Sequence, residues 1–354
     1  MADEAFTGTK PVEARHRFDE AALDAWLETS VEGYRGPLTV SQFKGGQSNP
    51  TYRLDTPGAA YVLRRKPFGA LLPSAHAVDR EFRVISALHA AGFPVARPYA
   101  LCTDEQVIGA IFYVMAAVDG RVFWDGALPD QTPDERRALY AAAITTLARL
   151  HQLDPAAAGL EDYGRPGNYF ARQVDRWTKQ YRASATEPIA AMDRLIDWLP
   201  RTLPEQTRTS VVHGDYRLDN IIMHSAEPRV VAVLDWELST LGDPLADFSY
   251  LLMNWVLPHD GRSGLDGLDL PALGIPTLDE ATALYCRETG RDGVPGLDWY
   301  FAYNLFRLAA ILPGIGGRIR DGTAASAQAV EMAARAPRLA EAAWDFARRG
   351  GGRA

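Results

Sequence analysis

The chain has 354 residues, 47% hydrophobic and 23% charged, a globular composition long enough for two lobes that each bury a core. A formal net charge of −8 lacks the basic excess of a general nucleic-acid binder, yet leaves room for a local basic pocket facing an anionic small molecule. The start Met1-Ala2-Asp3-Glu4 is acidic with no apolar stretch behind it, and no run of about twenty apolar residues follows. Neither a secretory signal nor a membrane span is therefore expected. Cys102 and Cys286 lie far apart, in no Cys-x-x-Cys or Cys/His cluster, which predicts reduced thiols in the cytoplasm and no structural zinc.

In chain order, the apolar spacing of Phe18, Leu23, Trp26 and Leu27 predicts a helix over 18–27. Strands are expected at 38–43, 51–54 and 61–64, the first two separated by the tight loop Gly45-Gly46-Gln47-Ser48-Asn49-Pro50. A helix over 74–91 follows, with Ser74 as its N-cap and Gly92 as its stop, then strands at 98–102 and 108–115. This order describes a small antiparallel sheet carrying one main helix. Past Val118-Asp119-Gly120 the pattern becomes Ala/Leu-rich and helical, at 134–153, 168–181 and 188–199, and again from Pro244 to the end. Only a strand-loop-strand block over 210–234 interrupts it. Pro313-Gly314-Ile315-Gly316-Gly317-Arg318 lacks the Gly-Lys-Ser/Thr of a P-loop and predicts a break between two helices. The expected architecture is α+β in two lobes, residues 1–116 and 117–354, with a hinge near Ala116. The apolar residues Leu339, Ala343, Trp344 and Phe346 either close the core or form an interface; nothing in the sequence sets the oligomeric state.

The segment His213-Gly214-Asp215-Tyr216-Arg217-Leu218-Asp219-Asn220 lies between apolar stretches, so its polar groups fall on a loop between strands. Asp215 can take the proton of an attacking hydroxyl, and the side-chain oxygen of Asn220 can hold Mg²⁺. Arg217, between them, can steady the charge of a phosphoryl group in transfer. The bland reading makes Asp215 and Asn220 turn residues bonded to their own backbone. The His-Gly prefix, the flanking strands and the next motif weigh against it. In Val230-Val231-Ala232-Val233-Leu234-Asp235-Trp236-Glu237 an apolar strand runs into an acid. A carboxylate at a buried strand end needs a compensating cation, which makes Asp235 the main Mg²⁺ ligand beside the phosphates of ATP. Glu237 reads equally as a metal-side residue or an exposed turn acid.

His213-Gly214-Asp215-x4-Asn220, followed by Leu234-Asp235-Trp236-Glu237 and Gly242-Asp243-Pro244-x2-Asp247, resembles the aminoglycoside phosphotransferase and choline kinase superfamily. The resemblance covers most of the chain and implies a protein-kinase-like fold. It makes Asp215 the catalytic base, Asn220 and Asp235 the Mg²⁺ ligands, and Asp247 a structural acid that braces the catalytic loop. The chain passes from Asp235 almost directly to Asp243-Pro244-Leu245, leaving no room for the activation loop of a protein kinase, so a small hydroxylated metabolite is the expected acceptor. Tyr61-Val62-Leu63-Arg64 occupies the place of the strand that carries the phosphate-anchoring cation in these folds. Arg suits phosphate through its planar fork, strand alternation lets only one of Arg64 and Arg65 face a cleft, and Glu81 is the expected ion-pair partner of Arg64. Gly45, Gly46, Gln47, Ser48 and Asn49 would cover the ATP phosphates, although their spacing departs from G-x-G-x-x-G. The segment 112–118 fits the hinge that meets adenine through the main chain of Met115, Ala116 and Val118.

Within the superfamily, Gly45-Gly-Gln-Ser-Asn-Pro50, Tyr61-Val-Leu-Arg-Arg-Lys-Pro67, Leu72-Pro-Ser-Ala-His-Ala-Val-Asp-Arg-Glu81 and Leu234-Asp-Trp-Glu-Leu-Ser-Thr240 look most like one group. That group is the kinase-like domain fused to acyl-CoA dehydrogenases (family members ten and eleven), with its free-standing bacterial relatives. The resemblance implies ATP-dependent phosphorylation of a 4-hydroxyacyl-CoA, with a separate acyl-CoA dehydrogenase as functional partner. The alternatives are an aminoglycoside or choline-type kinase and, in a different class, an inactive nucleotide-binding scaffold. Arg172 and Arg176 are either contacts to an anionic substrate or ordinary helix-surface ion-pair residues. The single histidines His76, His89, His151 and His259 show no ligand spacing and carry no expected function.

Overall fold

The computed structural model describes residues 8–44, 49–68, 77–185, 187–320 and 334–352. The strands in chain order are β1 (Thr9–Lys10), β2 (Thr39–Phe43), β3 (Thr51–Asp55), β4 (Ala60–Arg65), β5 (Pro98–Cys102), β6 (Phe112–Ala116), β7 (Ser210–Val212), β8 (Ile221–Met223), β9 (Val230–Val233) and β10 (Thr240–Gly242). The helices are α1 (Glu20–Ser30), α2 (Val78–Ala90), α3 (Pro133–Gln152), α4 (Tyr169–Ser184), α5 (Ala190–Trp198), α6 (Leu245–Leu252), α7 (Leu270–Leu273), α8 (Leu278–Thr289), α9 (Leu297–Arg320) and α10 (Ala336–Arg349). The chain divides into two compact units. The first comprises Met1–Trp124, Ala156–Glu161 and Leu218–Ser239; the second comprises Asp125–Pro155, Asp162–Arg217 and Thr240–Ala354.

In the first unit a six-stranded sheet runs in the order β1-β2-β3-β4-β6-β5, with every neighbouring pair antiparallel. Alternation along β3 turns Tyr52 and Leu54 inward while Thr51, Arg53 and Asp55 stay partly exposed. Helix α1 starts where the Asp19 carboxylate accepts the amides of Ala21 and Ala22. It lays Leu23 and Leu27 into a core with Tyr52, Leu54, Leu63, Phe112 and Val114. Helix α2 buries Val78, Glu81, Val84, Ile85 and Leu88 on one face. Its expected N-cap, Ser74, lies outside the described residues.

The first unit extends past the expected boundary at residue 116 and also takes in β8 and β9, which pair with each other. Local bonds explain this. The Val233 amide donates to the Pro94 carbonyl at 2.8 Å, and Arg121 and Met223 exchange both backbone hydrogen bonds at 2.8 Å. Gly120 is required there, since a Cβ would sit 2.3 Å from the Met223 carbonyl oxygen.

In the second unit β7 pairs antiparallel with β10, and α3 packs on β7. Helix α3 opens on a capping box between Thr132 and Glu135, with Pro133 in its first turn. Phe170 of α4 packs edge-on against Trp299, Tyr300 and Tyr303 of α9. The expected break at 313–318 is absent, because α9 is continuous from Leu297 to Arg320 with Pro313 inside it. A proline removes one helical hydrogen bond, and the preceding turns are anchored by the fully buried Leu305, Phe306, Ala309 and Ala310. Helix α10 falls in the helical stretch expected from Pro244 onward; the residues before it, 321–333, lie outside the described set. Among the described residues no helix is long and apolar enough to cross a membrane.

Candidate active site

In the first unit the backbone alternation of β4 separates two adjacent arginines. Arg65 is fully buried, donates to the Tyr52 hydroxyl and the Lys66 carbonyl, and stacks on the Phe68 ring at 3.6 Å. Arg64 points to the opposite face. Its Nε lies 3.1 Å from Glu81 Oε2 on α2, and one terminal nitrogen lies 2.7 Å from Asp235 Oδ1 and 3.3 Å from Glu237 Oε2. Asn49 adds a 3.4 Å hydrogen bond to the same Glu237 oxygen. One guanidinium thus faces three carboxylates. Burial opposes the Arg64 charge, but Glu81 and Asp235 outweigh it and hold the guanidinium charged. Burial pushes the Glu81 carboxyl up to about 7, against the pull of Arg64 and with repulsion from Asp235 and Glu237 added.

This shift carries a stability consequence. Native Glu81 retains a proton that the unfolded chain has released between the ordinary carboxylate range and about pH 7, so the stability this group contributes falls as pH rises through that window. Glu81→Gln is expected to remove that slope, read by urea unfolding of both proteins across the window in metal-free buffer. Equal slopes would show that Glu81 titrates normally.

Asp235, two residues past β9, sits in the left-handed backbone region, at φ 65° and ψ 63°. That conformation is costly for a residue with a Cβ, and such strain is concentrated at functional sites. The Asn220 carbonyl accepts the Leu234 amide at 2.8 Å, which sets Asn220 and Asp235 at the same end of the β8–β9 pair. Among the described residues no group of three His, Cys, Asp or Glu side chains forms a metal cage. The donor set nevertheless suits Mg²⁺, which takes one or two carboxylates and hard oxygens and fills its remaining positions with phosphate and water. The carboxylate excess around Arg64 also favours a cation.

At the end of β6 the Ala116 amide donates to the Arg97 carbonyl at 2.8 Å and the Ala117 amide to the Ala60 carbonyl at 3.1 Å. The Ala116 amide is therefore already engaged within the sheet. That donor is taken on the β5 side of the strand, where Arg97 immediately precedes β5. Met115 is buried in the same strand. Gly45, Gly46, Gln47 and Ser48 lie outside the described residues.

In the second unit the loop after β7 is clamped from α6. Asp247, 1% exposed, accepts the His213 amide at 2.5 Å and the Gly214 amide at 2.8 Å. Gly214 adopts φ 89°, a conformation that favours glycine. The Asp215 amide donates to His213 Nδ1 at 3.1 Å, which leaves the His213 ring proton on Nε2. Asp215 Oδ1 lies 3.4 Å from Arg217 Nε, and the Tyr250 hydroxyl hydrogen-bonds the same carboxylate. Burial works to raise the Asp215 pKa, but Arg217, Arg307 and the Tyr250 bond outweigh it and hold the carboxyl below its usual range.

Sequence reasoning missed three residues here. His151 on α3 lies 3.4 Å from Asp247 Oδ2 and 2.7 Å from the Tyr285 hydroxyl, so it supports the clamp. Tyr250 and Arg307 stand beside Asp215. A signal for Arg307 was present, since an arginine inside Phe301-Ala302-Tyr303-Asn304-Leu305-Phe306-Arg307-Leu308-Ala309-Ala310 must be buried and needs a partner. Arg172 donates to the Gly167 and Arg165 carbonyls, and Arg176 lies over the Trp177 ring at 4.9 Å. Asp215 and Arg217 belong to the second unit, whereas Arg64, Glu81, Asn220 and Asp235 belong to the first.

Residues 39–282 match the phosphotransferase enzyme family. The chain is 44% identical over 346 residues to acyl-CoA dehydrogenase family member 10 of Mus musculus, covering 97% of this chain and 32% of that protein. It is 43% identical to acyl-CoA dehydrogenase family member 11 of Rattus norvegicus, covering 96% of this chain and 45% of that one. It therefore spans less than half the length of these relatives. A crystal structure of a putative aminoglycoside phosphotransferase from Ralstonia eutropha is 52% identical, with a TM-score of 0.86 over 94% of this chain and 99% of that one. An aminoglycoside phosphotransferase bound to AMP-PNP and hygromycin B shares the fold at 16% identity, with a TM-score of 0.59 over 94% of this chain and 99% of that one. The fold is the kinase-like, mixed α+β fold of aminoglycoside phosphotransferases.

Proposed function

The chain belongs to the phosphotransferase enzyme family, and on that premise we propose that it is a cytoplasmic kinase that transfers the γ-phosphoryl group of ATP to a small-molecule hydroxyl. The observation that carries the reading is Asp215, a carboxylate held ionised by arginines on a loop pinned through Asp247. As the acceptor oxygen bonds to the γ-phosphorus and the bond to the β–γ bridging oxygen breaks, Asp215 takes the hydroxyl proton and ADP leaves. Arg217 steadies the charge spread over the transferring group. Arg64 gives its guanidinium to the nucleotide phosphates and Glu81 keeps that side chain extended. Gly45, Gly46, Gln47, Ser48 and Asn49 cover the phosphates, while Met115, Ala116 and Val118 border the adenine. Asn220 and Asp235 would hold Mg²⁺, which would neutralise phosphate charge.

The acceptor class we propose is a 4-hydroxyacyl-CoA, supported by the 43–44% identity to parts of two acyl-CoA dehydrogenase family members. A separate acyl-CoA dehydrogenase is then the functional partner. An aminoglycoside acceptor is the second reading, favoured by the name of the 52% identical bacterial structure. The test is incubation of the purified protein with ATP and Mg²⁺ against hydroxyacyl-CoAs, aminoglycosides and choline-like amines, with products read by mass spectrometry. A phosphorylated hydroxyacyl-CoA is expected. Phosphorylated aminoglycoside alone would move the acceptor to the second reading. No product in any class would sink the kinase assignment in favour of a nucleotide-binding scaffold.

A further inference from the structure

We infer that Arg307 is a positioning residue for the base: it holds the Asp215 loop through Gly214 and sets a buried positive charge behind the carboxylate. Arg307 is 6% exposed on α9 and donates to the Gly214 carbonyl, 93 residues away along the chain. The Gly214 amide is meanwhile held by Asp247, so the peptide units on both sides of this glycine are tied. The guanidinium lies 5.0 Å from the Tyr250 ring centroid and 5.5 Å from that of Trp177. Tyr250 in turn hydrogen-bonds Asp215, which links arginine, tyrosine and carboxylate in one packed group.

A purely structural role accounts poorly for a charge at this position. A buried guanidinium is costly to desolvate, and an apolar side chain of similar volume is often neutral or stabilising in such places. Among the described residues Arg307 Nε has no hydrogen-bond partner, so the site is not built to satisfy the whole group. A neutral amide could serve the Gly214 carbonyl equally well. What it could not supply is attraction to Asp215. The groups facing Asp215 are Arg217, Arg307, Tyr250 and His213. Those facing Arg307 are Tyr250, Tyr303, Tyr169 and Asp215, and burial keeps the three tyrosines protonated. Asp215 is the anion acting directly on Arg307, while Asp247 acts on the neighbouring Tyr169 and Tyr303 and is held by the His213 and Gly214 amides.

The inference rests on Asp215 acting as the base, and its test separates the two ideas. Arg307→Gln keeps a donor for Gly214 without the charge, and Arg307→Lys keeps the charge. Titration of the Asp215 carboxyl carbon by NMR, identified by its loss in Asp215→Asn, is expected to move up by about one pH unit in Arg307→Gln. It should stay near the wild-type position in Arg307→Lys. The acid limb of kcat/KM for 4-hydroxyacyl-CoA phosphorylation should move by the same amount in the same order. An unmoved Asp215 titration in Arg307→Gln overturns the inference, even if the rate falls at every pH. If the wild-type chain phosphorylates no acceptor, the kinase reading fails, while the NMR titration still decides the role of Arg307. If Arg307→Gln does not fold, a displaced Asp215 titration in Arg307→Lys overturns the inference and an undisplaced one supports it.

Discussion

Asp215→Asn is expected to slow phosphoryl transfer by roughly 10²- to 10⁴-fold, the range for loss of a positioned general base. Asparagine matches aspartate in shape and can still accept the Tyr250 hydroxyl bond, so the loop should keep its form. The amide cannot take a proton, and its NH₂ group would meet Arg217 where attraction stood before. Affinity for ADP should hardly change, because the proposed phosphate contacts, Arg64 and Asn49, lie elsewhere in the chain. Single-turnover rates and calorimetric ADP binding together check the prediction. An undiminished rate would remove Asp215 as the base. The wild-type pH profile offers a second check. A base held below its usual range stays ionised in mild acid, so the acid limb of kcat/KM should lie below the ordinary aspartate pKa of about 3.9.

Asp247→Ala should destabilise the protein by about 3 kcal/mol, since leaving a buried donor unsatisfied costs about 1–3 kcal/mol and two amides lose their acceptor. His151 loses its neighbour as well. The same change should lower kcat, because the His213 and Gly214 amides are then unheld and only the Arg307 bond to Gly214, the Tyr250 bond to Asp215 and the turn itself remain to place Asp215. Denaturant unfolding and kcat measured on the fraction that folds check the two halves separately. A loss of stability below about 1 kcal/mol would show that the amides find other partners or water.

The two chemical motifs were legible because each is local. His213-Gly214-Asp215 and Asn220 lie on one stretch of chain, and Leu234-Asp235 ends an apolar strand whose burial can be read from its composition. Alternation in a strand also predicted that one of Arg64 and Arg65 would turn away, and their partners show which did. The hinge donors were harder. Whether Ala116 offers its amide depends on which carbonyl lies across from it, and strand pairing between distant segments decides that. The unbroken α9 has a similar cause: proline disfavours a helix locally, but the packing of the preceding turns is tertiary.

The sequence by itself placed an acid, an amide, a second acid and an arginine at spacings that suit the proposed phosphoryl transfer, since those spacings are covalently built in. Only the tertiary structure decided how the acid is held. His151, Tyr250 and Arg307 reach the Asp215 loop from α3, α6 and α9, at separations no local pattern encodes, whereas the brace from Asp247 was expected from the family resemblance. The physical reason is that charge in a buried setting is governed by whatever the fold brings near it, not by its neighbours along the chain.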